Sequence, residues 1–172
     1  MSEVLLIGGR SGVGKSSVGA ELHAQLSAAG IRHCLIEGDN LDLAYPPPWE
    51  HALAERNLAV VWANYRSLGY RRMIYTNTAS VIGHVIGKLT AAIGDSPEVT
   101  AVLLTCSDVT ARGRLAQREI GTALDWHVER SDLMARKLDE GAPAGVHLVV
   151  TDRRTVAEIA SEVIGLAGWA ER

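Results

Sequence analysis

Phenylalanine is missing from these 172 residues, and cysteine (two) and proline (five) are scarce. Without Phe, Leu, Val, Ile and Ala must fill the core, helped by four Trp and four Tyr. Two cysteines exclude a small scaffold stapled by disulfides. Cys34 and Cys106 both sit in apolar, strand-like runs, and they read as reduced core residues of a cytoplasmic protein. No apolar run approaches the ~20 residues that a membrane span needs, so no membrane partner is expected. The apolar run at 4–7 is too short for a secretory leader, and none is expected. Positive charge is not in excess either: the net charge is −3, which argues against a nucleic-acid partner. His23, His84, His127 and His147 show no metal-ligand spacing, so no zinc site is expected.

One stretch near the start organises what is there. The run Val4-Leu5-Leu6-Ile7 leads into Gly8-Gly9-Arg10-Ser11-Gly12-Val13-Gly14-Lys15-Ser16-Ser17. Gly9, Gly14, Lys15 and Ser16 complete the pattern G-x-x-x-x-G-K-[ST]. Glycines let backbone N–H groups close around phosphate oxygens without a Cβ clash. Lys15 brings a cation to the β- and γ-phosphates, and the Ser16 hydroxyl suits Mg²⁺, a hard cation that prefers oxygen. The helix that follows points its positive end at the same phosphates. ATP and Mg²⁺ are therefore the expected cofactors.

The rest of the chain alternates. Apolar runs at 4–7, 33–36, 72–76, 99–106 and 146–150 read as short strands buried on both faces. Between and after them, 15–29, 50–68, 80–93, 110–119, 124–138 and 156–166 read as helices. Residues 41–49 read as irregular, because Pro46-Pro47-Pro48 excludes a helix. The expected fold is α/β: a five-stranded parallel sheet between two helical layers, an αβα sandwich, with a small helical lid. One domain is expected over 1–172, with the lid at about 113–130 and an acceptor-binding region at about 40–70.

Ligands in such folds lie beyond the carboxyl ends of the strands. Asp39 follows the second strand, where a carboxylate can take a proton from an attacking hydroxyl or hold a water on Mg²⁺. Read alone, Gly38-Asp39-Asn40 fits a turn or helix cap as well; behind a complete phosphate loop it reads as a site. The third strand ends in Thr76-Asn77-Thr78-Ala79-Ser80 without a carboxylate, which disfavours a motor or switch ATPase. Asn77 and Thr78 are candidates to contact substrate or a metal-bound water. Arg112, Arg114 and Arg118 lie on one short helix, with Arg114 and Arg118 four apart on one face. Gly121 breaks the chain before the helix that carries Arg130, and it is the expected hinge of the lid. Within 41–70, Tyr45, Trp49, His51 and Arg56 are the acceptor-pocket candidates. Trp62 and Tyr65 also fall at core-facing helical spacing.

The phosphate loop, the acid after the second strand and the Arg-x-x-x-Arg helix entering a lid resemble the small P-loop kinases of the nucleoside-monophosphate-kinase superfamily. The segment Leu35-Ile36-Glu37-Gly38-Asp39-Asn40 is similar to the strand-and-acid element of adenylylsulfate kinases and of antibiotic phosphotransferases such as those acting on chloramphenicol. The later pattern most resembles the tunicamycin-resistance ATP-binding proteins. Its marks are the helical stretch from Trp62 to Arg66 before a strand without an acid, Trp126 after the lid, and Thr151-Asp152 after the fifth strand. The resemblance implies that Gly9, Arg10, Ser11, Gly12, Val13, Gly14, Lys15, Ser16 and Ser17 bind the ATP phosphates and Mg²⁺. It implies that Arg114 stacks on adenine, that Arg118 reaches the phosphates, and that 151–154, with Asp152 and Arg153, borders the adenine. Asp39 becomes the base or the metal-side acid. The basic motifs of sulfate-nucleotide kinases are absent after Asp39, where Leu41-Asp42-Leu43-Ala44 follows.

The expected function is ATP/Mg-dependent transfer of the γ-phosphoryl group to a hydroxyl of a small molecule, a metabolite or an antibiotic. Lys15, Asp39 and Arg118 would be catalytic, Ser16 and Asp39 would serve the metal, and Asp39, Tyr45, Trp49, His51, Arg56 and Asn77 would meet the acceptor. The alternative is an ATP-binding resistance or sensor protein that sequesters a ligand without transfer. Either would work as a monomer or homodimer.

Overall fold

The computed structural model describes residues 1–118 and 123–170, with side chains at 1–117 and 125–170. Five strands run β1 (Glu3–Gly8), β2 (Cys34–Glu37), β3 (Arg72–Thr76), β4 (Glu98–Thr105) and β5 (His147–Val150). The helices among the described residues are α1 (Lys15–Ala28), α2 (Leu53–Ser67), α3 (Gly83–Ile93), α4 (Asp108–Arg118), α5 (Ala123–Gly141) and α6 (Val156–Leu166). The strands form one sheet in the order β2-β3-β1-β4-β5, and every pair is parallel.

The layers follow from the two-residue period of a strand. Leu5 and Ile7 of β1 face Val18, Leu22 and Leu26 of α1 and Ile159, Val163 and Ile164 of α6. Val4 and Leu6 face the other way, onto Leu58 and Trp62 of α2, Leu89 and Ile93 of α3, and Leu138 of α5. Because β1 is covered on both sides, all four of its apolar residues are buried, each worth about 1.5–3 kcal/mol against exposure. In a chain without Phe, Trp62 is the bulkiest fully buried side chain. The cysteines are free, Cys34 buried and Cys106 half-buried. Burial pushes the Cys34 thiol up to about 12, so it is held as an inert thiol. No helix among the described residues is long and apolar enough to cross a membrane.

Three helix starts differ from expectation, each for a local reason. A helix expected from Glu50 begins at Leu53, because Trp49–His51 forms a 3-10 turn and Ala52 sits in the left-handed region at φ 47°. One expected from Ser80 begins at Gly83. Ahead of it, Asn77 closes a turn in which its Oδ1 accepts from the Ala79 N–H and its carbonyl accepts from the Ser80 hydroxyl. The helix expected from Thr110 begins at Asp108, where Ser107 Oγ accepts from the Thr110 N–H.

The sheet order also places the site. From β1 the chain builds β2 and β3 on one side, then crosses to β4 and β5 on the other. The crevice at such a switch, beyond the carboxyl ends of the strands, is where open α/β sheets bind ligands. Residues 9–14 leave β1 there.

Candidate active site

The loop at 9–14 needs its glycines for two different reasons. Gly9 (φ 149°) and Gly12 (φ 84°) have positive φ and no room. A Cβ on Gly9 would meet the Leu104 carbonyl oxygen at 2.8 Å, and one on Gly12 would meet that of Ala111 at 2.7 Å. Gly14 (φ 107°) has room but a left-handed backbone, and it caps α1 without any side-chain acceptor. The first-turn N–H groups of α1 therefore face the loop with no capping side chain across them, the arrangement that binds an anion. Lys15 Nζ lies over the loop, donating to the carbonyls of Gly9 (2.8 Å) and Arg10 (3.3 Å). Ser16 Oγ donates to Glu37 Oε2 at 3.2 Å. A cavity of about 350 Å³ covers these groups, and Arg114 and Gln117 of α4 line its other wall.

The Arg10 side chain takes no part in that cavity. Arg10 was expected among the residues that cradle phosphate, but its side chain is buried and turned away from that cavity. Arg10 Nε donates to Ser131 Oγ at 2.8 Å, and its other nitrogens pair with Asp108 and Asp132. Ser131 Oγ in turn donates to the Ser11 carbonyl. A guanidinium without these partners could not be desolvated at tolerable cost. The result is an ionic clasp between the loop and helices α4 and α5. Asp132→Ala leaves Arg10, among the described residues, only the exposed Asp108 as a counter-charge, so the expected loss is about 3 kcal/mol in urea unfolding.

Acid should loosen the same clasp. The hydrogen bonds from Arg112 and Arg10 hold the Asp132 carboxyl below the usual carboxylate range. Its stabilisation is complete above the unfolded value of about 3.9 and fades as pH falls through the lower folded value. Stability should therefore drop between about pH 5 and pH 2, and less steeply in Asp132→Asn.

Arg114 is placed between the phosphate loop and the end of β5. Its Nη1 donates to the Val13 carbonyl (2.9 Å) and Thr151 Oγ1 (3.1 Å), and its Nη2 to the Thr151 carbonyl. The Asp152 carboxylate is engaged by the Ser107 N–H, the Ser107 hydroxyl and the Thr110 hydroxyl, which hold it below the usual range. It braces the start of α4. Arg153 is exposed at φ 54°. Arg112 pairs with Asp132. The side chain of Arg118, and the Gly121 hinge, lie outside the described residues.

Asp39 follows β2 in a short 3-10 turn. It needs Gly38 before it, because a Cβ there would meet Tyr75 Oη at 2.4 Å. Asn77 Nδ2 donates to Asp39 Oδ1 at 2.6 Å, and the Asn77 N–H donates to the Ile7 carbonyl at 3.1 Å. The ends of β1, β2 and β3 are thus tied together around one carboxylate. Asp39 lines the phosphate-loop cavity and also a second, larger one of about 740 Å³. Ser11 and Thr78 share this junction.

The larger cleft is walled by residues 39–49, the end of β3 and α5. Of the acceptor candidates in 41–70, Trp49 lines it. Tyr45, His51 and Arg56 do not: Tyr45 is 97% exposed, and His51 and Arg56 are exposed as well. The 3-10 turn and the left-handed Ala52 reorient this segment before α2 begins, which a helical periodicity starting at Glu50 misplaces. Trp62 is core. Asp42, Trp126, His127 and Arg130 line the cleft as well. Glu37, two residues before Asp39, was not among the expected site residues; its signal in the sequence is a polar side chain at the carboxyl end of a buried strand.

No protein-family model and no curated protein matches the chain. Solved structures do. A gluconokinase from Sinorhizobium meliloti 1021 aligns with TM-score 0.63 and 20% identity, covering 96% of this chain and 91% of that one. The Mycobacterium tuberculosis APS kinase CysC, solved with AMPPNP and APS, aligns with TM-score 0.61 and 20% identity over 97% and 98% of the two chains. The Deinococcus radiodurans tunicamycin resistance protein aligns with TM-score 0.66 and 15% identity over 98% and 96%. At these identities the likeness is one of fold: the chain has the fold of small P-loop kinases.

Proposed function

We propose that this protein transfers the γ-phosphoryl group of ATP to a hydroxyl group of a small molecule. The observation that carries the reading is the position of Asp39 on the wall shared by the phosphate-loop cavity and the larger cleft. The kinase activities in the names of two structural neighbours support it at the level of fold. An acceptor in the cleft would bring its hydroxyl to Asp39, and a nucleotide on the loop would bring its terminal phosphate to the same junction.

The donor set fits ATP with Mg²⁺. Gly9 and Gly12 let the loop pack against the backbone at Leu104 and Ala111, the N-terminus of α1 has no capping side chain, and the Ser16 hydroxyl lies beside the Glu37 carboxylate. Ser16, with Glu37 and Asp39 acting through water, would hold the metal, which neutralises charge on the β- and γ-phosphates. Lys15 would place its ammonium on the phosphate oxygens, exchanging the loop carbonyls for them. Asn77 would orient Asp39, whose carboxylate accepts the acceptor's proton as the new O–P bond forms and the bond to the β-phosphate oxygen breaks. Arg114 would hold the loop against Thr151 at the nucleotide side. Arg118 is proposed to reach the phosphates from α4.

The lack of an acid at the end of β3 would favour sequestration without transfer. Glu37 beside Ser16 offers the carboxylate which that strand lacks, so transfer is the better reading. The test is incubation with Mg-ATP and a metabolite panel, read by mass spectrometry for addition of one phosphoryl group. ATP binding without any such product across the panel overturns the proposal.

A further inference from the structure

We propose that the cleft takes a polyhydroxylated acceptor of about disaccharide size that carries a protonated amine. This rests on the phosphotransferase reading for the word acceptor, but the binding it describes stands apart from transfer. A volume of about 740 Å³ lies within the range of small-molecule sites and exceeds what a single hydroxylated ring needs.

Its walls pair two aromatic faces with unneutralised carboxylates. Trp49 from the segment before α2 is 68% exposed, and Trp126 from α5 is 55% exposed. Large aromatic groups left open inside a cleft stack on the apolar faces of rings and attract cations. Trp126 already does the latter, with the Arg130 guanidinium carbon 5.1 Å from its ring centre. Asp39 and Asp42 line the cleft, and Asp42 and Glu55 line an adjoining recess of about 190 Å³ that shares Trp49 and Asn77. Asp39 receives the Asn77 amide. No hydrogen bond or ion pair from a described residue reaches the carboxylates of Asp42 or Glu55, both residues half-buried. Tyr75 lines the recess with Asp42 and Glu55, and burial, then the fields of Asp39, Asp42 and Glu55, push its phenol up.

Opposing charge is sparse. Among the described residues, Arg130 is the only Lys or Arg lining the cleft or the recess. Nor do the carboxylates read as a metal site: no group of three or more His, Cys, Asp or Glu able to hold a metal ion occurs among the described residues. An anionic acceptor would meet uncompensated carboxylates. An ammonium would give Asp42 and Glu55 the charged hydrogen-bond donor they lack, while ring hydroxyls meet Asp39 and Asn77.

The test uses amino-sugar and aminocyclitol di- and trisaccharides, each paired with its N-acetylated neutral form and its N-succinylated anionic form. Binding is measured by calorimetry, and phosphoryl transfer by mass spectrometry on the same mixtures. The expected order is amine, then neutral, then anion, with about tenfold in Kd at the first step. Asp42→Asn with Glu55→Gln should abolish that first step, with ATP binding as the control for folding. An anion binding best, no member binding where ATP does, or an undiminished amine preference in the double variant each overturns the inference. Amine-selective binding with no phosphorylated product upholds it and counts against transfer. Phosphorylation of an anionic member in preference to its amine form upholds transfer and overturns the inference.

Discussion

Asp39→Asn is expected to lower kcat by about 10²–10⁴ while leaving the Kd for ATP within about twofold. The two effects separate because of where Asp39 sits. It follows β2 at the junction of the two cavities, whereas the loop that would grip the nucleotide is built from residues 9–17. The substitution is also geometrically mild. Asn77 Nδ2 donates to Asp39 Oδ1, and an asparagine oxygen at the same place can still accept that bond. What is lost is the proton acceptor and the negative charge. Steady-state kinetics with an acceptor from the screen, beside calorimetric ATP binding, measure both quantities. Wild-type turnover in Asp39→Asn would remove this residue from the mechanism.

Lys15→Ala is expected to abolish turnover, a loss of at least about 10³-fold. Among the side chains lining the phosphate cavity, the cations are Lys15 and Arg114. Arg114 is committed to Val13 and Thr151, so the charge on a bound phosphate falls to Lys15, whose ammonium lies over the loop on the Gly9 and Arg10 carbonyls. Because those carbonyl bonds also brace the loop, Lys15→Met, which keeps the apolar stem, serves as the companion variant. Both should unfold at temperatures near that of the parent and both should be inactive. Turnover within tenfold of wild type in either would show that phosphate charge is met by another group.

Much of the frame was legible in the residue order. Each strand is a continuous apolar run because parallel strands are covered on both faces, as Leu5, Leu6 and Ile7 illustrate with zero exposure. Helix starts were less legible, because side chains acting over a few residues set them: Asn77 bonding Ala79, Ser107 accepting from Thr110, Ala52 turning left-handed before Leu53. Periodicity registers none of these. The aromatic stretch was the least legible part. Trp62 falls at core-facing spacing and is sealed in the core, but Tyr45, Trp49, His51 and Arg56 look equally suited to a pocket, and of these four Trp49 alone lines the cleft. The difference is the turn at 49–52, which separates the segment before it from the face of α2.

The sequence by itself determined the glycine loop, its place after a buried strand, and the α/β alternation, because each depends on contacts between near neighbours and on a simple period. Only the tertiary structure decided which polar groups meet. Arg10 belongs to a clasp with Asp108, Ser131 and Asp132, nearly a hundred or more positions away in the chain. Glu37 meets Ser16 because β2 ends beside the start of α1, and Asp39 meets Asn77 because β2 pairs with β3. Such pairings follow from strand order and register, and a linear pattern carries no term for either.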